Sequence, residues 1–293
     1  MNPEVDEPSG QPTTGHEWDG LKELNTPVPR VFNVWLWLSI AVAALIWVLY
    51  PSWPTVLSHT KGVVGYSSRE KVTQAVAERA ALREQQMPEF FALDVTELAT
   101  DPTLEAKYSD AIGVLYRDNC AACHGRDLEG QTNFPNLTDD HWLWSGVPEE
   151  IEYTLQVGIN HTDDDTRWAQ MPAFGNGVLE RPDINAVIEY VLSISGSEFD
   201  ANLAERGAGV FEENCASCHN EGGIGGYESG APSLVDEAWI YGGSRDVLRQ
   251  TIRYGRQGVM PGWSGRLTDE EIKQLTLYVL WAGQRMEKAN GQD

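Results

Sequence analysis

Asn119 to Gly125 reads N-C-A-A-C-H-G, and 95 positions later Asn214 to Asn220 reads N-C-A-S-C-H-N. Each stretch carries the pattern Cys-x-x-Cys-His. Two thiols three positions apart can add across the two vinyl groups of a porphyrin, and the residue that follows offers an imidazole to the iron from the same side. A single Cys-x-x-Cys also serves as a redox dithiol, and two of them build a four-thiolate zinc site. Zinc ribbons, however, separate their cysteine pairs by roughly twenty residues or fewer, whereas 91 residues stand between Cys123 and Cys215. Neither alternative gives the histidine a role. The pattern therefore predicts two covalently bound heme c groups, on Cys120 and Cys123 and on Cys215 and Cys218, with His124 and His219 as iron ligands. These are all four cysteines of the chain, so no disulfide framework is expected.

The similarity extends well beyond the motif. Tyr116 and Phe211 each stand four residues before the first cysteine, on what reads as a short helix. P-N-L-T-D-D-H-W-L-W from Pro135 matches P-S-L-V-D-E-A-W-I-Y from Pro232, with His141 opposite Ala238. T-L-Q-V-G-I-N from Thr154 likewise matches T-I-R-Y-G-R-Q from Thr251, now at an offset of 97 because a Gly-rich loop, Glu221 to Gly230, lengthens the second copy. Closing helices follow in D-I-N-A-V-I-E-Y-V-L-S from Asp183 and E-E-I-K-Q-L-T-L-Y-V-L-W from Glu270, apolar at helical spacing, the second opened by a Thr268/Glu271 capping box. Tyr190 and Tyr278 on these helices are expected to pack against Tyr116 and Phe211. A tandem duplication explains the whole set.

Each copy also carries a methionine followed by proline just before its last helix. Met171 lies 47 residues after His124 and Met260 lies 41 after His219. A thioether there reaches the open face of the iron, and methionine opposite histidine raises the reduction potential. Linear order leaves open which methionine serves which iron. Met87 and Met286 lie outside both copies and are poor candidates. Pro135 and Pro232 read either as presenting a carbonyl to each ligand imidazole or as ordinary loop prolines. Arg167, Trp168, Arg256 and Trp263 flank the methionine loops as candidates to face propionates, and His59, His141 and His161 read as loop or interfacial histidines.

Ahead of the repeat, Val31 to Tyr50 runs twenty positions without a charge. As a helix it spans about 30 Å of hydrocarbon. It starts too late and is too long for a secretory signal, so it reads as an uncleaved anchor. Residues 1–30, rich in Pro, Gly, Glu and Asp, read as a mostly disordered or membrane-surface arm. Ser67 to Glu84 reads as a narrow amphipathic helix on a polar stalk that Pro88 breaks. The 44 acidic residues outnumber the 21 basic ones, and the net charge of −23 disfavours nucleic acid and anionic lipid while permitting a basic partner.

With both heme units, the single amino-terminal anchor and the words H-E-W-D-G-L-K-E-L-N-T-P-V-P-R before it, the chain resembles the diheme subunit of cbb3-type cytochrome c oxidases. The resemblance implies a mainly α chain, with one transmembrane helix followed by two class I cytochrome c domains. The expected boundaries are a cytoplasmic arm (1–30), an anchor (31–54), a periplasmic stalk (55–104), a first cytochrome domain (105–197) and a second (198–293). It further implies a bacterial inner-membrane location with the heme domains periplasmic. Electrons would arrive from a soluble or membrane cytochrome c or a bc1 complex and pass to the monoheme and catalytic subunits, which reduce oxygen and pump protons; the chain itself would be a non-catalytic subunit. An anchored shuttle for another periplasmic oxidoreductase and a diheme peroxidase are the rival readings.

Overall fold

The computed structural model describes residues 4–236 and 239–289, with side chains up to Arg285; Ala238 and the side chain of Met286 lie outside the described residues. The chain divides into two compact units between Leu82 and Arg83.

In the first unit, β1 (Thr13–Trp18) pairs antiparallel with β2 (Leu21–Leu24), Trp18 opposite Leu21. The two-residue turn is Asp19-Gly20, with φ of 50° and 83°. A type I′ hairpin turn requires positive φ at both central positions, and Asp-Gly supplies them cheaply. Residues 13–24 are thus an ordered hairpin within the arm expected to be mostly disordered or membrane-surface, and the first of those alternatives does not hold for them. Helix α1 (Arg30–Leu49) follows, burying none of its residues and leaving all but Ala43 and Leu49 exposed. Its mean hydropathy of 2.1 makes it the one helix among the described residues long and apolar enough to cross a membrane. The last turn of a helix leaves carbonyls without intrahelical donors. Here the chain folds back, so that Val63 N–H donates to Val48 O at 2.9 Å and Val64 N–H to Leu49 O at 3.1 Å. Helix α2 (Ser68–Gln86) starts in this unit and ends in the second, and it buries none of its residues.

The second unit begins inside what the sequence suggested was stalk. α3 (Pro88–Ala92) and α4 (Val95–Ala99) bring Phe90, Val95 and Leu98 into a buried cluster with Leu104, Tyr108, Ile112, Leu277 and Trp281. The stretch from Pro88 to Leu104 is therefore core, and the expected 55–104 stalk is too long at its carboxyl end. An Asp94/Glu97 capping box starts α4, Asp94 accepting from Glu97 N–H at 2.8 Å while Glu97 accepts from Asp94 N–H at 3.2 Å. Lys107 and Tyr108 both donate to Glu89, at 2.6 and 2.7 Å, and together hold its carboxyl down at about 2.

The remaining elements are α5 (Thr103–Asn119), α6 (Ala121–His124), α7 (Pro148–Val157), α8 (Arg181–Ile194), α9 (Ala201–Asn214), α10 (Ala216–His219), α11 (Arg245–Tyr254) and α12 (Asp269–Ala289). They do not pack in chain order. One apolar cluster joins Tyr116 of α5 and Ile151 and Leu155 of α7 to Ile272, Leu275 and Val279 of α12. The other joins Ile184, Val187, Ile188 and Val191 of α8 to Phe211 of α9 and Leu248 and Ile252 of α11. Tyr278 packs on Tyr116 with ring centroids 5.3 Å apart, and Tyr190 on Phe211 at 5.0 Å. The halves expected at 105–197 and 198–293 have exchanged their closing helices, so neither range is a packing unit.

The cause is a short connection. Only Ser195 to Asp200 separate α8 from α9, so the two form an antiparallel helical hairpin. At Gly207 the helices approach so closely that a Cβ would strike Ala186 O. Asp200 caps α9 by accepting from Asn202 and Leu203 N–H, while its own N–H donates to Glu189 at 2.8 Å. Arg245 then donates to both oxygens of Glu189, at 2.8 and 3.0 Å, and to Glu198 O at 2.6 Å. This guanidinium, followed by the Asp200 amide, holds the buried Glu189 carboxyl below its ordinary range. With α8 spent on α9, the open side of α5 is left to α12.

Replacing Arg245 by Leu leaves that carboxylate without its charged donor and is expected to lower stability in denaturant unfolding. Glu89 acts in the acid range: its folded pKa is depressed, so its contribution is present above the ordinary value of 4.5 and fades as pH falls from there towards 2. The stability difference between wild type and Glu89→Gln should accordingly shrink over that interval, read from denaturation midpoints at a series of pH values.

Candidate heme sites and a reciprocal exchange of methionine loops

Both Cys-x-x-Cys-His stretches fold as one helical turn capped at a kink. Cys120 ends α5 and starts α6, and the N–H groups of Cys123 and His124 return to its carbonyl at 3.1 and 3.0 Å. Cys215 receives Cys218 and His219 at the same two distances. Past each histidine the backbone turns left-handed, at Gly125 (φ 78°) and Asn220 (φ 60°). The loop then loops back until His124 Nδ1 lies 3.1 Å from Pro135 O and His219 Nδ1 lies 2.9 Å from Pro232 O. A carbonyl only accepts, so Nδ1 carries the proton and the Nε2 lone pair is free for a metal. Burial lowers both imidazole pKa values against these hydrogen bonds, which keeps the rings neutral.

None of the four cysteines is in a disulfide. Burial pushes the Cys120 thiol up to about 12 and the Cys215 thiol up to about 11. The two pairs also belong to different clusters, and no group of three or more His, Cys, Asp or Glu suited to a metal ion occurs among the described residues. The donor set instead fits a porphyrin: thiols on one turn, a neutral imidazole of fixed tautomer, an apolar cradle and one thioether per cradle. Arg167 adds a further match, because its Nε is buried without a hydrogen-bond partner, as a donor waiting for a carboxylate would be.

The thioethers are exchanged like the helices. Met260 packs in the cluster of Tyr116, Cys120, Leu128 and Trp142, and Met171 in that of Phe211, Cys215, Leu234 and Trp239. Backbone pairing enforces this. Met260 and Ile159 exchange N–H···O bonds of 3.0 and 2.9 Å, and Met171 and Arg256 exchange bonds of 2.9 and 3.1 Å. Ile159 and Arg256 are matching positions of the repeat, each directly after a glycine. At Gly158 (φ 71°) a Cβ would strike Met260 O and Gly262 N; at Gly255 (φ 72°) it would strike Met171 O.

Other residues singled out from the sequence separate into different roles. Arg167 pairs with Glu150 and stacks over Trp144 and Tyr153, 5.0 and 4.9 Å from the ring centroids. Arg256 lies 4.4 Å over Tyr241, the repeat counterpart of Trp144, and donates to Thr251 at 2.9 Å. Trp263 is buried core and Trp168 is exposed. His141 sits between Asp140 at 3.4 Å and Asp236 at 3.2 Å, linking the loops that carry Pro135 and Pro232. His161 anchors its loop through a backbone bond to Thr166. Asn160, whose side-chain amide donates to Ala169 O and to Gly258 O at 2.7 Å each, left no trace in the sequence periodicity.

Two histidine-and-thiol turns on helix ends, each closed by a helix crossing and a methionine loop, define a c-type cytochrome with two cytochrome c domains. A cytochrome c family model matches residues 111–195, and models of subunit III of cbb3-type cytochrome c oxidase and of the amino-terminal domain of FixP match residues 202–279 and 10–56. The chain is 42% identical over 287 residues to the cbb3-type cytochrome c oxidase subunit CcoP of Cereibacter sphaeroides, covering 95% of this chain and 97% of that one. It is 45% identical to the corresponding CcoP of Azospirillum brasilense and 43% identical to the FixP of Bradyrhizobium sp. strain ORS 278, covering 94% of this chain and 96% of theirs in both cases. It belongs to the CcoP/FixP family of cbb3-type oxidase subunits, whose cytochrome c domains imply covalently bound heme c.

Alanine at Gly158 should displace the Met260 loop and alanine at Gly255 the Met171 loop. Each combines a left-handed φ with a backbone clash, a strain of at least about 1–3 kcal/mol. Thermal unfolding should show both losses, each as a midpoint lowered relative to wild type.

Proposed function

We propose that the chain is a membrane-anchored two-heme electron relay within a cbb3-type oxidase, with its methionine ligands crossed between the two halves. Cys120 and Cys123 would hold one heme c and Cys215 and Cys218 the other. His124 with Met260 would take the first iron, and His219 with Met171 the second. Bound heme c supplies an iron that alternates between ferrous and ferric states. The protein's part is to keep each imidazole neutral by burial and oriented through Pro135 and Pro232, to bring in one thioether, and to exclude water with the apolar clusters. A histidine and a methionine on each iron would leave no site for substrate, which favours a relay over a peroxidase. Arg167, with its unpaired Nε, is the residue suited to a propionate. The observation that carries this reading is the placement of one Cys-x-x-Cys-His turn and one methionine in each apolar cluster.

Family membership makes the other subunits of a cbb3-type oxidase the partners of this chain, and α1 fits a single-pass anchor. Attachment of heme c outside the cytoplasm supports an orientation with the hairpin of β1 and β2 inside and the second unit in the periplasm. The net charge of −23 suits a donor with a basic face, such as a cytochrome c, with a bc1 complex as the membrane-bound alternative.

The test uses protein reduced to one heme. In a Cys120→Ser/Cys123→Ser variant, Met171→Leu should abolish the Met–iron charge-transfer band of the remaining oxidised heme, and Met260→Leu should leave it. The opposite result would restore ligation in chain order. Affinity purification of the tagged wild-type chain from membranes should bring down the catalytic subunit, and its absence would favour the shuttle reading.

A further inference from the structure

The two methionine loops meet at one side chain. Asn160 lies just past the Ile159–Met260 pairing, in the left-handed region at φ 50°, where asparagine is better tolerated than most residues. Its Nδ2 donates to Ala169 O at 2.7 Å and to Gly258 O at 2.7 Å, and its Oδ1 accepts from Ala169 N–H at 3.1 Å. Ala169 stands two residues before Met171, and Gly258 stands two residues before Met260. A single amide thus grips the same position of both loops, as a group on the internal twofold relation of the repeat would. That place admits one side chain, and the repeat counterpart, Gln257, is exposed.

We propose that Asn160 is a positioning residue for both sulfur ligands at once, so that the two iron sites share one hydrogen-bonded strut. It touches neither iron and acts through the loops. Without it, two loop carbonyls and one N–H lose their partner together. The proposal rests on the reading of Met171 and Met260 as iron ligands, but not on which iron each serves.

The measurement is the Met–iron charge-transfer band of the oxidised full-length holoprotein, with potentiometric titration of both hemes alongside. Met171→Leu and Met260→Leu each leave one sulfur-ligated heme, and Asn160→Gly is added to each. Glycine keeps the left-handed backbone and removes only the amide. The remaining band is expected to fall by about half or more in both backgrounds, and the potential of the remaining Met-ligated heme to drop. Asn160→Asp retains the acceptor for Ala169 N–H but neither donor, so its loss should be greater for Met260 than for Met171. This second variant decides the matter if the glycine variant does not accumulate as holoprotein. A fall in only one background, or in neither, overturns the shared strut. If the two leucine substitutions themselves leave the band unchanged, the ligand reading falls, and the strut with it.

Discussion

The architecture of the second unit follows from the brevity of Ser195 to Asp200. Six residues between two helices leave them side by side and antiparallel, and the Asp200 cap, Glu189 and Arg245 make that hairpin a fixed element. Once α8 is committed to α9, the second heme site is assembled almost contiguously from Met171 to Tyr254. The first site then has to be completed from the far end of the chain. The crossed methionine loops, the placement of α12 on α5 and the burial of Phe90 and Leu98 beneath Trp281 all follow from that commitment.

Duplication makes such an exchange possible without new chemistry. The two copies offer the same receptors, a Gly-x turn after α7 and another after α11, and the same inserts, a methionine followed by proline. Ile159 accepts the loop of Met260 as readily as Arg256 accepts that of Met171, because the recognition runs through backbone N–H and carbonyl groups that the repeat supplies twice. Side chains decide the details. Trp144 with Arg167 and Tyr241 with Arg256 place a stacked guanidinium in each half, although the two arginines come from different positions of the repeat.

The sequence displayed the parts more readily than their assembly. The thiols, the imidazoles and the proline carbonyls that orient them are local, within a dozen or so residues, and they stand where the motif puts them. The long apolar helix α1 was legible from twenty uncharged positions, and the Thr268/Glu271 cap from its spacing. The pairing of closing helices was not legible, because an apolar stripe on α8 fits α5 and α9 equally well and only the length of the connection chooses. Phe90, Val95 and Leu98 lie on helices of five residues, too short to show a period, and their burial depends on residues some 180 positions away. The hairpin at 13–24 did leave a signal, the Asp-Gly pair between extended segments, which the surrounding acidic and Pro-rich composition concealed.

The exchange also sets an order in time. A chain emerging amino-terminus first presents Cys120, Cys123 and His124 long before α12 exists, so the first site stays unsealed until the last twenty or so residues have been made. The second site can close as soon as α11 is out. Biogenesis therefore runs against the numbering of the motifs, and a chain that stops short of α12 carries its defect in the heme site nearest its beginning.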